Sequence, residues 1–343
     1  MAIQSLYTLW DDIEHFDLGD SEATAAEWQG HKGLYLEKMN AAVFLREELP
    51  FTSFRLKAEV AIPHKVGFIG FIFGAVDAQN YELVYLAPVE IQYDPIMNGS
   101  MTWQIYNGVR YQKALPDTTG VWQKLAVEVH PNGAFVYLGD DSEPKLILTK
   151  LQHGGEPGKI GFWSFLHSYI RDLSIEQIEP KPLNESGADL YQQETGLADT
   201  TVREWRLSEP YLRGENPPAE QRWLKAKVEE NGILNVNRWF AAEPGSTVEA
   251  RSIIRLPSNQ ESVISFGFSD HLRLWINDHE IYQGSWKWNP PSSDGRISPD
   301  FYQVVVKWRA GENSIRAEVA QSENFGWGLT LRTGLNDVLP IFL

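Results

Sequence analysis

The sequence predicts an all-β protein built from two β-sandwich (jelly-roll) domains in tandem. Residues 54–86 have the pattern of three consecutive strands, and similar short apolar runs recur along the rest of the chain. Turn residues separate these runs at the spacing typical of sandwiches. Helical periodicity is scarcely visible in the first half of the chain.

The first of the three strands covers residues 54–62, where apolar and polar positions alternate with the period of a strand that buries one face. Residues 66–74 are apolar on both faces, as expected of a central strand. Turn residues at 77–80 then lead into a strand that begins at Tyr81. We interpret the three as a meander whose apolar face needs a second sheet to cover it.

A hairpin is predicted around Asn107-Gly108, because both central residues of a type I′ turn need positive φ. Its two strands are expected at residues 101–106 and 109–113. Further strands at 122–130, 134–138, 145–149, 159–164 and 169–176 complete the first domain. Pro180-Lys-Pro182 ends it, which predicts domains at residues 1–180 and 201–343 and a linker at 181–200.

Composition excludes several classes of function. The formal net charge of −16 argues against nucleic acid and membrane surfaces as partners, since both select basic patches. The chain has no cysteine, and therefore no disulfide, thiolate metal site or cysteine nucleophile. The N-terminus lacks a basic region, and the apolar runs are far below membrane-spanning length. These features predict a cytoplasmic protein, or a secreted one if a signal was removed.

The order of motifs in the first domain resembles a concanavalin A-like (laminin-G/glucanase-type) jelly roll over residues 5–178. The motifs are Phe51-x-x-Phe-Arg-Leu-Lys-Ala-Glu59, Val66-Gly-Phe-Ile-Gly70, Asn80-Tyr-Glu-Leu-Val-Tyr-Leu-Ala-Pro88, Gly120-Val-Trp-Gln-Lys-Leu-Ala-Val-Glu-Val129 and Gly158-Lys-Ile-Gly-Phe-Trp163. The resemblance implies carbohydrate binding on the concave sheet, and some members are glycosidases. Ca²⁺ is common in such sandwiches, but no ligand cluster in this sequence requires it.

The second domain resembles a galactose-binding-like sandwich over residues 200–335. Three stretches carry the resemblance: Phe266-Gly-Phe-Ser-Asp270 running into Leu272-Arg-Leu-Trp-Ile-Asn-Asp-His-Glu-Ile-Tyr282, Trp308-Arg-Ala-Gly-Glu-Asn313, and Glu323-Asn-Phe-Gly-Trp-Gly-Leu329. Asn277-Asp278 stands where the usual turn has Asn-Gly, a change that a type I′ turn tolerates. Such modules occur beside glycosidases, and many have no known ligand. Asp270 is expected to hold a turn, with a Ca²⁺ ligand as the alternative.

No catalytic residue is predicted. Concanavalin-type glucanases carry a Glu-x-Asp-x-x-Glu run on one strand, and the first domain has none. Glu82 stands alone in an apolar strand, whereas Glu90 and Asp94 have an even spacing that we interpret as solvated loop charge. The eight histidines show no metal-ligand spacing, and no Gly-x-Ser-x-Gly elbow occurs.

Aromatic side chains are the better candidates for a binding site. Tyr81 and Tyr85 are expected on one strand, Trp103 and Tyr106 on the next, with Gln92 and Trp163 nearby. Trp286 and Trp288 share one side of a loop without core periodicity. The alternative is that the strand-borne rings belong to the core.

These observations predict a non-catalytic carbohydrate-binding protein that recognises glycan through stacking on aromatic platforms. Two alternatives stay open. One is a glycoside hydrolase-like enzyme with a non-standard carboxylate pair, which would need two inward carboxylates in a cleft. The other is a structural or protein-interaction module, for which flat aromatic patches and a homodimer are expected.

Overall fold

The computed structural model describes residues 4–156, 158–181, 198, 200–215, 217, 222–335 and 339–340. It confirms the all-β fold class. The chain divides into two compact units, which in the described residues comprise 4–96 with 108–181, and 97–107 with 198–340. Most of the predicted linker lies outside the described residues.

Unit 1 is a sandwich of two antiparallel sheets, with one short 3-10 helix at Ile13–His15. Its strands are β1 Gln4–Tyr7, β2 Phe16–Asp17, β3 Thr24–Trp28, β4 His31–Leu36, β5 Ala41–Leu45, β6 Phe54–Ala61, β7 Phe68–Asp77, β8 Asn80–Ala87, β9 Glu90–Tyr93, β10 Gln112–Ala114, β11 Gln123–His130, β12 Gly133–Leu138, β13 Leu146–Leu148, β14 Lys159–Phe165 and β15 Ser168–Gln177.

The three predicted strands of 54–86 exist, but they do not form a meander. β6 lies in the sheet ordered β13-β12-β11-β6-β15-β4-β3, in which β1 also pairs with β15. β7 and β8 lie in the other sheet, ordered β10-β9-β8-β7-β14-β5-β2. The chain therefore crosses between sheets after Ala61, and each sheet supplies the cover that the other needs. Alternation along β6 matches this, with Leu56 and Val60 buried and Lys57 exposed.

Unit 2 contains the remaining strands and a 3-10 helix at Val236–Arg238. Its strands are β16 Glu204–Ser208, β17 Tyr211–Leu212, β18 Trp223–Lys227, β19 Leu234–Asn235, β20 Ser246–Leu256, β21 Gln260–Ile276, β22 His279–Trp286, β23 Trp288–Asn289, β24 Ser293–Asp294, β25 Tyr302–Trp308, β26 Gly311–Ala320, β27 Gly328–Arg332 and β28 Leu339–Pro340.

The long strand β21 organises unit 2, because its two halves pair with different strands. Its first half pairs with β25 and β27, and its second half, from Asp270 onward, pairs with β22 and β26. A strand that passes from one sheet to the other forms a corner of the sandwich. The core of the unit lies on both sides of this corner and includes Phe266, Phe268, Leu272 and Trp327.

The turn between β21 and β22 has the predicted geometry. Asn277 and Asp278 both have positive φ, at 50° and 65°, and Ile276 pairs with His279 across the turn. Asn and Asp tolerate this region better than other residues with a side chain. The short turn residues thus set the register that buries Leu274 and Ile276.

The predicted strand at residues 101–106 is absent, and with it the predicted hairpin. The backbone turns here instead, with the N–H groups of Ile105 and Tyr106 both donating to the Thr102 carbonyl oxygen. Residues 97–107 belong to unit 2, although the sequence on both sides belongs to unit 1. The physical reason lies in partners distant in sequence, such as the Asn231 side chain, which donates to the Ile105 carbonyl oxygen at 2.8 Å.

Within the part of the chain that the structure describes, no helix is long and apolar enough to cross a membrane.

Trp327 supplies a direct test of the unit 2 core. Its side chain is fully buried, and its indole N–H donates to the Val319 carbonyl oxygen at 3.0 Å. We expect Trp327→Ala to lower the free energy of unfolding by about 3–5 kcal/mol, through lost burial and an unfilled cavity. Val305→Ala, at an exposed position of β25, should change it by less than about 0.5 kcal/mol. Urea denaturation measures the free energy of unfolding of both variants. Equal losses of stability in the two would contradict the position of Trp327 in the core.

Candidate functional site

A buried carboxylate lies at the corner of unit 2 where β21 changes sheets. Asp270 is completely buried, and one of its carboxylate oxygens accepts the backbone N–H groups of Ser322 and Glu323, the latter at 2.7 Å. The same oxygen accepts the Ser322 hydroxyl, and the other accepts the Ser269 hydroxyl at 2.6 Å. Hydrogen bonds to a charged acceptor are among the stronger ones in proteins. Asp270 therefore holds the loop that follows β26, which is the turn-holding role predicted for it.

Gln104 lies beside this carboxylate and is also completely buried. Its amide oxygen lies 2.7 Å from the Ser269 hydroxyl, whose single proton is shared between this oxygen and the Asp270 carboxylate, and its amide nitrogen donates to the Glu323 carboxylate at 3.3 Å. Its backbone N–H donates to the Phe325 carbonyl oxygen, and its own carbonyl oxygen accepts the Ile297 N–H at 2.9 Å. One buried side chain thus connects β21 with two loops of unit 2.

The close approach of Gln104 requires a glycine on one of these loops. Gly295 has φ of +73°, and a Cβ there would overlap the Gln104 amide and lie 2.8 Å from the backbone nitrogen of Trp288. A side chain at this position would be strained by its backbone conformation as well. The loop before Ile297 is therefore packed against the Gln104 amide.

Five aromatic side chains near this buried polar group form two contacting sets: Trp103, Trp288 and Phe325 in one, and Trp286 and Phe301 in the other. We call them the aromatic surface. The ring centroids of Trp103 and Phe325 lie 5.6 Å apart, those of Trp288 and Phe325 lie 6.2 Å apart, and those of Trp286 and Phe301 lie 4.8 Å apart. Trp288 is 50% exposed and Phe301 is 43% exposed, whereas the other three rings are partly buried. Large exposed rings held in contact with one another are typical of binding sites.

Polar groups accompany the rings. The Arg296 guanidinium lies 5.1 Å from the Trp103 ring centroid, and it forms an ion pair with Asp294 at 3.2 Å. The Arg296 carbonyl oxygen accepts the indole N–H of Trp286 at 3.0 Å. Stacking on an aromatic face keeps a guanidinium plane fixed while leaving N–H groups at its edge.

Glu323 is the second charged group at the aromatic surface. Its carboxylate accepts the backbone N–H of Trp288 at 2.9 Å, so it fixes the position of the most exposed ring. Partial burial raises the pKa of Glu323, and the nearby Asp270 carboxylate also raises it, while the hydrogen bond from Trp288 lowers it. The carboxylate therefore binds its proton more tightly than a free glutamate does.

The structure brings together three of the eight predicted site residues, namely Trp103, Trp286 and Trp288. Tyr106 lies on the same segment as Trp103 but is completely buried, where its hydroxyl accepts an N–H of the Arg238 guanidinium at 3.2 Å. A ring without solvent-exposed area presents no face to a ligand. Tyr106 thus has the core position that was the alternative expectation for the strand-borne rings.

The other four predicted residues lie in unit 1, and all are buried there. Trp163 pairs in register with Gly70, Gly70 with Tyr85, and Tyr85 with Gln92, so these side chains share one face of the β14-β7-β8-β9 sheet. The Tyr85 and Trp163 rings contact each other at 5.5 Å, and Tyr81 follows on the same face. The four side chains lie near one another as expected. However, each has at most 2% of its area exposed, so they form part of the core and not a binding surface.

Sequence reasoning missed four members of the site: Arg296, Phe301, Glu323 and Phe325. Phe325 and Glu323 occur in a stretch that the sequence analysis used only as a sign of fold. Phe301 was expected to begin a strand, whereas it lies in the loop immediately before β25. The sequence contains no pattern that places these four residues together.

Sequence reasoning also missed an aromatic group in unit 1. Trp28 stacks on Tyr169 with centroids 5.4 Å apart and contacts Trp122 at 5.6 Å, and all three rings are partly exposed. The Arg171 guanidinium lies 5.1 Å from the Trp122 ring centroid. This group lies on strands β3 and β15 and on the residue before β11. Tyr35 and His31 extend the group, with ring centroids 4.9 Å from Tyr169 and 5.9 Å from Trp122 respectively.

The carboxylates weighed for catalysis have structural positions. Glu82 is buried and accepts the Tyr93 hydroxyl and the His153 backbone N–H, the latter at 2.6 Å. Asp94 is completely buried, whereas Glu90 is partly exposed. Among the described residues, no group of three or more His, Cys, Asp or Glu side chains has the arrangement needed to hold a metal ion.

No protein-family model matches the sequence, and no curated protein matches it significantly. Parts of the chain resemble solved structures. The carbohydrate-binding module CBM66 from Bacillus subtilis has 13% identity and a TM-score of 0.38, over 48% of this chain and 96% of that one. A protein of unknown function with a galectin-like fold, also from Bacillus subtilis, has 11% identity and a TM-score of 0.39, over 53% of this chain and 100% of its own.

A third similar structure is the exoplasmic/lumenal domain of VIP36 in a form bound to Ca²⁺ and Man3GlcNAc. It has 11% identity and a TM-score of 0.36, over 52% of this chain and 92% of its own. Likenesses this weak do not define a function, which has to be inferred from the side chains themselves.

The raised pKa of Glu323 predicts a specific dependence of stability on pH. Because the folded protein binds this proton more tightly than the unfolded chain, the free energy of unfolding falls as pH rises through the folded pKa. Relative to E323Q, which does not titrate, the wild-type protein should gain stability from about pH 7 to about pH 4. Urea denaturation across this range measures the difference, with E261Q, at an exposed position of β21, as control. A wild-type advantage that shrinks toward low pH would contradict the assignment.

Proposed function

We propose that the protein binds carbohydrate without catalysing its cleavage, and that the aromatic surface of unit 2 is the binding site. The observation that carries the proposal is the contact of the half-exposed Trp288 ring with Phe325, which also contacts the Trp103 ring. Sugar rings have one face lined with C–H groups, and aromatic rings are the side chains that cover such a face with the least loss of conformational freedom.

The polar groups of the surface complement the hydroxyls of a sugar. Arg296 places a positive charge beside the Trp103 ring, and the Glu323 carboxylate supplies an acceptor beside Trp288. A mostly apolar site with a few fixed polar groups is the general form of small-ligand sites in proteins. The proposed orientation places a sugar face on the exposed Trp288 ring, with its hydroxyls toward these two charged groups.

The surface is also well supported from beneath. Asp270 holds the backbone of residues 322 and 323, and Gln104 holds that of Phe325 and Ile297. Rings on loops that are fixed before binding lose less freedom when the ligand arrives. This support favours recognition by a preformed site.

Binding is favoured over hydrolysis because Asp270 is buried and its carboxylate is hydrogen-bonded within the fold. Glycoside hydrolysis needs two carboxyl groups that both reach the scissile bond. Asp270 contacts the Glu323 backbone, yet it is completely buried and accepts four hydrogen bonds. Its oxygens are engaged in structure, which leaves Glu323 as a recognition group.

A glycan array probed with the intact protein, with and without added Ca²⁺, tests the proposal. We expect selective binding that W288A weakens by tenfold or more, as is typical of a central aromatic contact. Trp239→Ala is the matched control, because Trp239 is 39% exposed in the same unit and lies outside the aromatic surface. Its affinity should equal that of the wild type.

Two results would contradict the proposal. One is a glycan that W288A and W239A bind as tightly as the wild type does. The other is an array without binding from folded protein, together with a homodimer that W288A dissociates in sedimentation velocity. That second result would establish the aromatic surface as a protein interface.

A further inference from the structure

A row of four cationic side chains crosses one sheet of unit 2. Lys225 of β18 is opposite Arg206 of β16, Arg206 is opposite Arg251 of β20, and Arg251 is opposite Arg316 of β26. Residues directly opposite on antiparallel strands project from the same face of a sheet. Like charges in that arrangement repel each other, so the row costs stability. A chain with net charge −16 has concentrated positive charge here.

Three of these cations line a cavity of about 500 Å³. Its other lining residues are Trp223, Asp278, Ser252 and Ile253 of β20, and Ser314 and Ile315 of β26. All lining residues belong to unit 2. The volume lies within the usual range for small-ligand sites, which is about 300–1,000 Å³. The cavity shares no residue with the aromatic surface.

Carboxylates beside the row, on the same face of the sheet, engage only part of its hydrogen-bonding capacity. Glu249, which is almost completely buried, accepts the Nε–H of Arg251, and one terminal nitrogen of Arg316 pairs with Glu318 at 3.4 Å. A guanidinium carries five N–H donors, so each of these two side chains keeps donors for a further partner.

Arg206 differs from the other two guanidinium groups. Its side chain takes part in no ion pair and no side-chain hydrogen bond with any residue that the structure describes. It nevertheless stands between two cations in the row, with Arg251 on one side and Lys225 on the other. A cation in this position, partly buried and without a counter-ion, indicates a site that an anion completes.

Two tryptophans hold the guanidinium planes. The Arg251 guanidinium lies 4.6 Å from the Trp223 ring centroid, and that of Arg316 lies 3.7 Å from the Trp275 ring centroid. Arginine stacked in this way recognises planar and tetrahedral oxyanions through two parallel N–H groups. Trp223 also lines the cavity itself, where a partly exposed ring is available to an apolar face of the ligand.

We propose that this cavity is a second binding site, specific for one acidic sugar residue. Its oxyanion, a carboxylate or a sulfate ester, is bound by Arg206, Arg251 and Arg316, and its ring lies against Trp223. We infer a ligand with one acidic sugar residue, because the net charge of −16 on the protein repels an extended polyanion. The proposal does not depend on the aromatic surface and stands if that surface binds no sugar.

Isothermal titration calorimetry of the full chain at low salt tests the site with four probes. These are the hyaluronan disaccharide, which has only a carboxylate, the chondroitin 4-sulfate disaccharide, which adds a sulfate ester, neutral chitobiose, and inorganic sulfate. We expect at least one acidic disaccharide to bind tenfold or more tightly than chitobiose and than inorganic sulfate. Binding should weaken as NaCl is added, because the contacts are ionic. The tighter of the two acidic probes identifies which oxyanion the site prefers.

Matched variants locate the binding. R206Q removes a cation without breaking an ion pair, so the variant should fold with an unchanged or higher melting temperature. Its affinity for the acidic disaccharide should be lower by tenfold or more. R206K, which keeps the charge and loses the planar fork, should bind with intermediate affinity. R255Q removes an equal charge from an exposed position of the same strand as Arg251 and should bind as the wild type does.

Four outcomes would overturn the proposal. They are no binding of either acidic disaccharide, binding that R206Q leaves unchanged, binding of chitobiose as tight as that of the acidic probes, and binding of inorganic sulfate as tight as that of the disaccharides. The last outcome would identify a simple anion site without recognition of the sugar.

Discussion

The buried carboxylate of Asp270 is the contact on which the surface of the second unit depends. It lies where β21 passes from one sheet to the other, and such a corner leaves backbone N–H groups of the neighbouring loop without ladder partners. Asp270 accepts two of them, from Ser322 and Glu323. The loop is thereby fixed at the point from which Phe325 joins the aromatic surface, so a constraint of the fold also determines the proposed binding site.

Other buried polar side chains also hold neighbouring segments in place through hydrogen bonds. Gln104 is buried with both ends of its amide engaged, and Glu82 holds the His153 backbone in unit 1. Leaving such groups without partners would cost more than their hydrogen bonds contribute, so a variant that removes one partner is expected to affect the whole group. Buried carboxylates in this protein consequently indicate structure, whereas the partly exposed Glu323 and the guanidinium of Arg206 are available to ligands.

How much the sequence could predict depended on whether the responsible contacts were local. The predicted strands within residues 54–86 and the Asn277-Asp278 turn depend on local sequence, and the structure contains both. Trp286 and Trp288 were expected on a surface loop, but Trp286 ends β22 and packs partly buried against the core, whereas Trp288 begins β23 and is exposed. Tyr85 was expected on an open face, but β8 is buried on both faces, and alternation alone does not distinguish a concave face from a core. Residues 101–106 alternate like a strand, yet their partners, among them Asn231 and Ile297, are more than a hundred residues away.

Amide hydrogen exchange of the intact protein tests most directly whether the buried carboxylate holds the aromatic surface in place. The account predicts slow exchange for the Ser322 and Glu323 amides, which donate to Asp270, although Ser322 itself is exposed and lies outside any strand. The neighbouring backbone N–H of Asn324, which donates to no described residue, should exchange rapidly. If the Ser322 and Glu323 amides exchange as fast as that of Asn324, the loop is not held by Asp270, and the preformed aromatic surface is contradicted.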